Sequence, residues 1–135
     1  MARRNNYRGK YKISKVQFYR AYYYALSYDE WVNEYARLGD TAKAITYSDM
    51  PKGSLNVNSA VEDAAIKREV LSKHITLIED TAKEACPEHP ELILKAVTIE
   101  GMTFDILNKL YHLPMGSDKF YDRRRRFYFL LSHKI

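Results

Sequence analysis

Apolar residues recur at helical spacing in several segments near the N-terminus, and none of these segments alternates with the period of a strand. Ser14-Lys15-Val16-Gln17 has the form of a capping box, which predicts a helix to about Ala25 with aromatic residues on more than one side. A second capping box at Ser27 to Glu30 predicts another helix, with Gly39 as its stop. Residues 13–39 are therefore predicted to form a helical hairpin.

The central part of the chain changes from an irregular segment to a long periodic one. Residues 40–58 contain proline, glycine and small polar residues without a sustained period, which predicts a linker. Ser59-Ala60-Val61-Glu62 is a third capping box, and it opens the longest predicted helix, to about Ala85. Pro90 suits the first turn of a short helix that follows. Residues 59–135 are predicted to form one helical domain after the linker.

The segment 102–135 has the pattern of two helices around a tight turn. Thr103 is suited to cap the first helix, and Pro114 and Gly116 end it. Ser117 is suited to cap the second helix, which carries four consecutive arginines. This is the outline of a DNA-binding helix-turn-helix. Since no strand pattern emerges anywhere, the predicted fold is all-α, with an N-terminal helical hairpin, a long central helix and a C-terminal helix-turn-helix.

The last helix has an apolar stripe and a charged stripe when positions are spaced by about 100° per residue. In a major-groove helix, the stripe opposite the apolar one approaches bases and phosphates, so Lys119, Arg125 and Arg126 are the principal candidates for DNA contacts. The full set of predicted DNA-binding residues is Ser117, Asp118, Lys119, Tyr121, Asp122, Arg125, Arg126, Arg3, Arg4 and Arg8. Arg124 lies near the apolar stripe and is suited to reach either Asp105 or a phosphate. The alternative is an ordinary hairpin with a solvated basic face.

The net charge of +5 is unevenly distributed along the chain. Residues 1–20 carry seven basic groups and no acid, and residues 106–135 carry a net charge of +5, whereas residues 59–105 carry −5. Residues 1–12 also lack periodic apolar positions, which predicts a mobile basic arm. Both positive ends are therefore suited to converge on a polyanion while the acidic middle is repelled from it.

Composition narrows the functional classes further. The chain has 135 residues, enough for one core, and its single cysteine, Cys86, allows no internal disulfide. No apolar run is long enough to span a bilayer and no secretory signal is present, so we expect no membrane association and a cytoplasmic location. The four histidines are scattered and no glycine-rich phosphate loop occurs. We therefore predict a non-enzymatic protein without metal or cofactor.

The order of these parts resembles the RinA/ArpU-type phage late-gene transcriptional regulators, which carry a helix-turn-helix similar to sigma-factor region 4. At residue level the resemblance lies beyond about Pro90: Thr103 to Leu107 matches the first helix, Leu113 to Ser117 the turn, and Phe120-Tyr121 and Leu130-Leu131 the anchors of the reading helix. The resemblance implies a sequence-specific activator of packaging and lysis genes in the bacterial host cell. It also implies host RNA polymerase as a partner.

Three further interpretations bear on partners. The aromatic hairpin, with Tyr23 and Trp31, is suited to form a homodimer, although internal packing is the alternative. The acidic residues Glu79, Asp80 and Glu84 are suited to face polymerase, because they are unsuited to lie against phosphates. A phage small terminase subunit, which packages DNA, is the rival function, and a protein-interaction domain with solubilising basic ends is the third.

Overall fold

The structure, a computed structural model, describes residues 9–47 and 54–135, with side chains described at 9–40 and 59–135. This part of the chain forms a 3-10 turn, Gly9–Tyr11, and a series of α-helices without a strand, as the all-α prediction required. The helices are α1 (Lys15–Leu26), α2 (Tyr28–Tyr47), α3 (Ser54–Ala85), α4 (Pro90–Thr98), α5 (Phe104–Tyr111) and α6 (Ser117–Lys134).

Local capping explains where several helices begin. The capping box predicted at the start of α1 is present: Ser14 Oγ accepts from the Gln17 N–H at 3.1 Å, and Gln17 Oε1 accepts from the Ser14 N–H at 2.9 Å. Thr103 caps α5 by accepting from the Ile106 N–H at 3.3 Å. Ser117 does not cap α6, because it is the first helical residue and Gly116 stands in the cap position without a side chain.

The predicted helix stop at Gly39 is wrong, because α2 continues to Tyr47. Gly39 instead leaves room for a guanidinium group: a Cβ at this position would lie 3.0 Å from Nη2 of Arg68. Arg68 Nε donates to the Tyr35 carbonyl at 3.3 Å, and the guanidinium lies 4.0 Å from the centroid of the Tyr35 ring. The glycine is therefore a close-approach residue inside a helix.

The predicted linker over 40–58 is also largely wrong. Residues 40–47 belong to α2, and α3 begins at Ser54, so the capping box predicted at Ser59 lies inside a helix. Neither proline nor glycine occurs between Gly53 and Pro87, and a continuous helix meets no breaker over that length. Residues 48–53 of the predicted linker lie outside the described part of the chain.

The chain divides into two compact units. Within the described residues, the first contains 9–28 and 77–135 and the second contains 29–47 and 54–76. This division differs from the predicted one, because α1 groups with the C-terminal helices and α2 groups with the first part of α3. The aromatic residues of α1 are the reason: Phe18 is fully buried and lies edge-on to Tyr128 of α6, with ring centroids 5.1 Å apart.

The first unit is built around its C-terminal helix. Helix α6 packs against α1, α4, α5 and the 3-10 turn. Its side chains Phe120, Phe127 and Leu131 are fully buried. Positions three, four and seven residues apart share one face of a helix, so the predicted apolar stripe of α6 is the centre of this core.

The turn between α5 and α6 includes a strained residue. His112 ends α5 in the left-handed conformation, with φ 51° and ψ 71°, and its N–H donates to the Asn108 carbonyl at 2.9 Å. This conformation costs a residue with a Cβ about 1–2 kcal/mol of free energy, so glycine is the preferred residue at such helix ends.

We expect His112→Gly to raise the free energy of unfolding by about 1 kcal/mol, because it removes the Cβ strain at a site whose side chain is exposed. Urea denaturation followed by circular dichroism measures the change. His112→Ala is the control, since it removes the imidazole but keeps the Cβ. An equal gain in both variants would trace the effect to the imidazole and contradict the backbone explanation.

Candidate nucleic-acid interface

Helix α6 is fixed to α5 and to the segment before it by three contacts. The Phe104 N–H at the start of α5 donates to the Tyr121 hydroxyl at 3.2 Å, and the Phe104 and Phe120 rings meet with centroids 5.7 Å apart. Arg124 Nη1 donates to the Met102 carbonyl at 3.1 Å. Arg124 thus binds a backbone carbonyl and not Asp105, one of the two partners considered from sequence. These contacts hold the first half of α6 rigidly beside α5.

The predicted DNA-binding residues at the start of α6 are exposed. Ser117, Asp118 and Lys119 form its first turn, and all three are exposed to solvent. Arg125 and Arg126 are half-buried, and no hydrogen bond or ion pair joins either of them to another residue of the described chain. Ser117, Asp118, Arg125 and Arg126 therefore remain available for an external ligand, whereas Lys119 has an ion-pair partner within the chain.

Two other predicted DNA-binding residues have partners inside the fold. The Tyr121 hydroxyl accepts the hydrogen bond from Phe104, so it helps to start α5. Asp122 Oδ2 lies 3.1 Å from Arg123 Nη1, and Asp122 Oδ1 lies 3.9 Å from Lys10 Nζ. The geometry gives both side chains a positioning role, and their contact with DNA stays a prediction.

The predicted arm over 1–12 is wrong at its C-terminal end. The Tyr11 ring packs against Phe129 of α6 with centroids 5.8 Å apart, and the Lys10 ammonium lies 5.0 Å from the centroid of the Tyr11 ring. The 3-10 turn therefore covers part of the stripe predicted to face DNA, because the half-buried Phe129 ring gains from apolar contact with Tyr11. Arg3, Arg4 and Arg8 lie outside the described residues.

Three basic residues form a row along one side of α6. Lys119, Arg123 and Arg126 are spaced by four and three residues, which aligns them on a helix surface. Arg123 was not among the predicted DNA-binding residues, and its side chain is 23% exposed. The row therefore adds Arg123 to two of the principal candidates, Lys119 and Arg126.

A single carboxylate lies against this row. Arg123 donates to Glu88 Oε1 through Nε at 3.2 Å and through Nη2 at 3.1 Å, and Lys119 Nζ lies 3.4 Å from the same oxygen. The Glu88 backbone N–H, followed by the Arg123 guanidinium, lowers the pKa of the Glu88 carboxyl to about 2. Glu88 is therefore an anion at neutral pH.

The contact between Glu88 and Arg123 was not predicted from the sequence. Glu88 was not among the predicted functional residues, and it is separated from Arg123 by 35 positions. Only the four-residue spacing of Lys119 and Arg123 was visible, and such spacing does not identify the anion between them. A long-range ion pair depends on packing that local patterns do not specify.

The acidic surface predicted to face polymerase is partly used inside the fold. The Tyr28 hydroxyl donates to Glu79 Oε2 at 2.5 Å, and Lys134 Nζ donates to Glu84 Oε1 at 2.7 Å. Asp80 lies 4.0 Å from Lys83 on the same helix. Two of the three carboxylates therefore hold Tyr28, the first residue of α2, and Lys134, the last residue of α6.

The side chains of the described residues include no group of three or more histidine, cysteine, aspartate or glutamate residues arranged to hold a metal ion. None of the described helices is both long and apolar enough to cross a membrane. Comparison with known proteins found no matching family model, no matching curated protein and no matching solved structure. The basic row on α6 and the α5–α6 pair therefore carry the functional argument.

Proposed function

We propose that the chain is a sequence-specific, non-enzymatic protein that binds double-stranded DNA through α5 and α6. The observation that carries this proposal is the exposed first turn of α6, followed by the row Lys119, Arg123 and Arg126. The N-terminal residues of a reading helix contact base edges in the major groove, and lysine and arginine bind phosphates beside it. Arg125 and Arg126, with no partner among the described residues, are the strongest candidates for direct contacts.

Selection of duplexes from a random pool by the purified chain, followed by sequencing, tests this proposal. If α6 reads bases, one sequence motif is expected to be enriched over successive rounds of selection. Retention of DNA without any enriched motif would leave only electrostatic binding and contradict sequence-specific recognition. The salt concentration is kept constant between rounds, because phosphate binding depends steeply on it.

The biological role that we propose is activation of phage late genes, with host RNA polymerase as a partner. Its support is the resemblance in the order of helices and in the residues from Thr103 to Leu131. Transcription from a late promoter with purified polymerase tests the role. A rise in transcript on addition of the chain is expected, and DNA binding without any rise would favour packaging.

A small terminase subunit is the second candidate, because α1 presents an apolar surface suited to self-association. Val16 is 73% exposed and Tyr23 is 59% exposed, and Lys15, Tyr19 and Arg20 complete a shallow depression around them. A ring of many subunits in solution favours packaging, whereas a monomer or dimer favours regulation. Light scattering of the purified chain distinguishes these states.

We expect Tyr23→Ser to reduce the solution mass of any oligomer, because it removes the largest exposed ring of this surface. Trp31, the other predicted interface residue, stacks on His74 with ring centroids 4.7 Å apart, so its replacement tests folding and not association. Tyr111→Ser, at a ring that is 45% exposed on α5, is the matched control. An unchanged mass in Tyr23→Ser, with an oligomeric wild type, would exclude this surface.

Deletion of residues 2–8 should flatten the salt dependence of DNA binding without changing the preferred sequence. The deletion removes Arg3, Arg4 and Arg8 but keeps Lys10 and Tyr11, which pack on α6. Each lost phosphate contact reduces the slope of log K against log salt by about 0.9. Anisotropy titrations at several salt concentrations measure the slope. A changed sequence preference at equal salt would show that the arm reads bases.

A further inference from the structure

Glu88 holds its two basic partners in an arrangement that matches how proteins bind a phosphate oxygen. One carboxylate oxygen receives two N–H groups from the same edge of the Arg123 guanidinium and lies 3.4 Å from the Lys119 ammonium. Arginine N–H groups and lysine ammonium groups are both common donors to phosphate and carboxylate oxygens. The pair Lys119 and Arg123 therefore already forms an anion site, and a residue of the same chain fills it.

The position of this anion within the fold allows exchange. Glu88 lies in the connection between α3 and α4, and its side chain is 35% exposed, while that of Lys119 is 49% exposed. Asp122 Oδ2 accepts from Nη1 of Arg123 at 3.1 Å, so the guanidinium keeps one carboxylate partner when the other leaves. The Glu88 contact is thus at the surface, where an external oxyanion has access to the same donors.

We propose that Lys119 and Arg123 form a phosphate site for the DNA backbone and that Glu88 occupies it in the free protein as an internal competitor. The inference rests on the proposed DNA binding and adds a regulatory contact to it. Binding of a backbone phosphate displaces the carboxylate from Arg123 and Lys119. Glu88 therefore weakens DNA binding, and it weakens it for every sequence, because a phosphate contact carries no base information.

The test compares Glu88→Gln with Glu91→Gln in the full chain. Both variants remove one negative charge, but the Glu91 carboxylate lies 3.7 Å from His89 and forms no hydrogen bond or ion pair with a described residue of α6. We expect Glu88→Gln to bind duplex DNA about tenfold more tightly than the wild type at low salt, because the phosphate then has no carboxylate to displace from Arg123 and Lys119. The affinity of Glu91→Gln for DNA is expected to lie within about twofold of that of the wild type, because an exposed charge away from the contact site is screened by salt.

A third variant assigns the gain to the basic pair. In Glu88→Gln combined with Lys119→Gln, the tighter binding should be lost, whereas Lys67→Gln, at an exposed position on α3, should keep it in the same background. An equal gain in Glu88→Gln and Glu91→Gln would reduce the effect to net charge and overturn the inference. Unchanged or weaker binding by a folded Glu88→Gln would overturn it as well.

A second probe separates this inference from the proposed function. Inorganic phosphate is titrated into labelled protein, and the Nε–H resonance of Arg123 is followed by nuclear magnetic resonance. A saturable shift in Glu88→Gln, with phosphate bound at least several-fold more weakly by the wild type, supports the phosphate site. If this result is obtained but no variant binds DNA, only the proposed function is contradicted. Identical titrations of the two proteins would overturn the site.

Discussion

Replacing Phe127 by alanine is expected to lower the free energy of unfolding by about 3–5 kcal/mol, which is the cost of truncating a fully buried phenylalanine. Phe127 has no exposed surface and lies on the face of α6 that packs in the core of the first unit. Because small domains are stable by about 5–15 kcal/mol, this one change removes much of the margin. Thermal and urea denaturation measure the loss.

Phe129→Ala is the matched control for this prediction. Phe129 is half-buried and packs against Tyr11 and His133 at the edge of α6, with ring centroids 5.8 and 4.5 Å away. Its truncation is expected to cost less than half as much, because less apolar surface leaves water on folding. Equal losses in the two variants would contradict the assignment of the Phe127 face of α6 to the core.

The double replacement of Arg125 and Arg126 by alanine should weaken specific DNA binding about 30-fold or more, since each base contact is worth about 1–3 kcal/mol. Both side chains lack hydrogen bonds and ion pairs within the described chain, so the protein should stay folded. Anisotropy titration with the selected duplex measures the affinity, and circular dichroism measures the fold.

The control for the arginine pair removes the same charge elsewhere. Lys67 and Lys73 lie exposed on α3, and their replacement by alanine is expected to change the affinity less than about threefold, as screened charges away from the contact surface do. Similar losses in both double variants would reduce the arginine effect to net charge. Unchanged affinity in Arg125→Ala with Arg126→Ala would remove α6 from the reading site.

The sequence was sufficient to predict structure where a local interaction determines it. The capping box at Ser14 and the cap at Thr103 depend on groups three residues apart, and the apolar stripe of α6 depends on helical spacing alone. All three are present in the structure. The class of fold follows from the same periodicity.

The errors occurred where distant residues decide the structure. Gly39 is typical of a helix end, but it lies beside the Arg68 guanidinium and the helix continues past it. Helix α1 was paired with α2 because they are adjacent in sequence, whereas burial of Phe18 groups it with α6. Glu88 and Arg123 are likewise joined by packing. Tertiary contacts override local propensity in each case.

The central claim is that the chain recognises a DNA sequence. The most direct test compares the affinity of the full chain for its selected duplex with its affinity for a scrambled duplex of equal length at the same salt. A protein that reads bases through α6 is expected to prefer the selected duplex by about 10³-fold or more at physiological salt. Equal affinities for the two duplexes would contradict sequence-specific recognition by this chain.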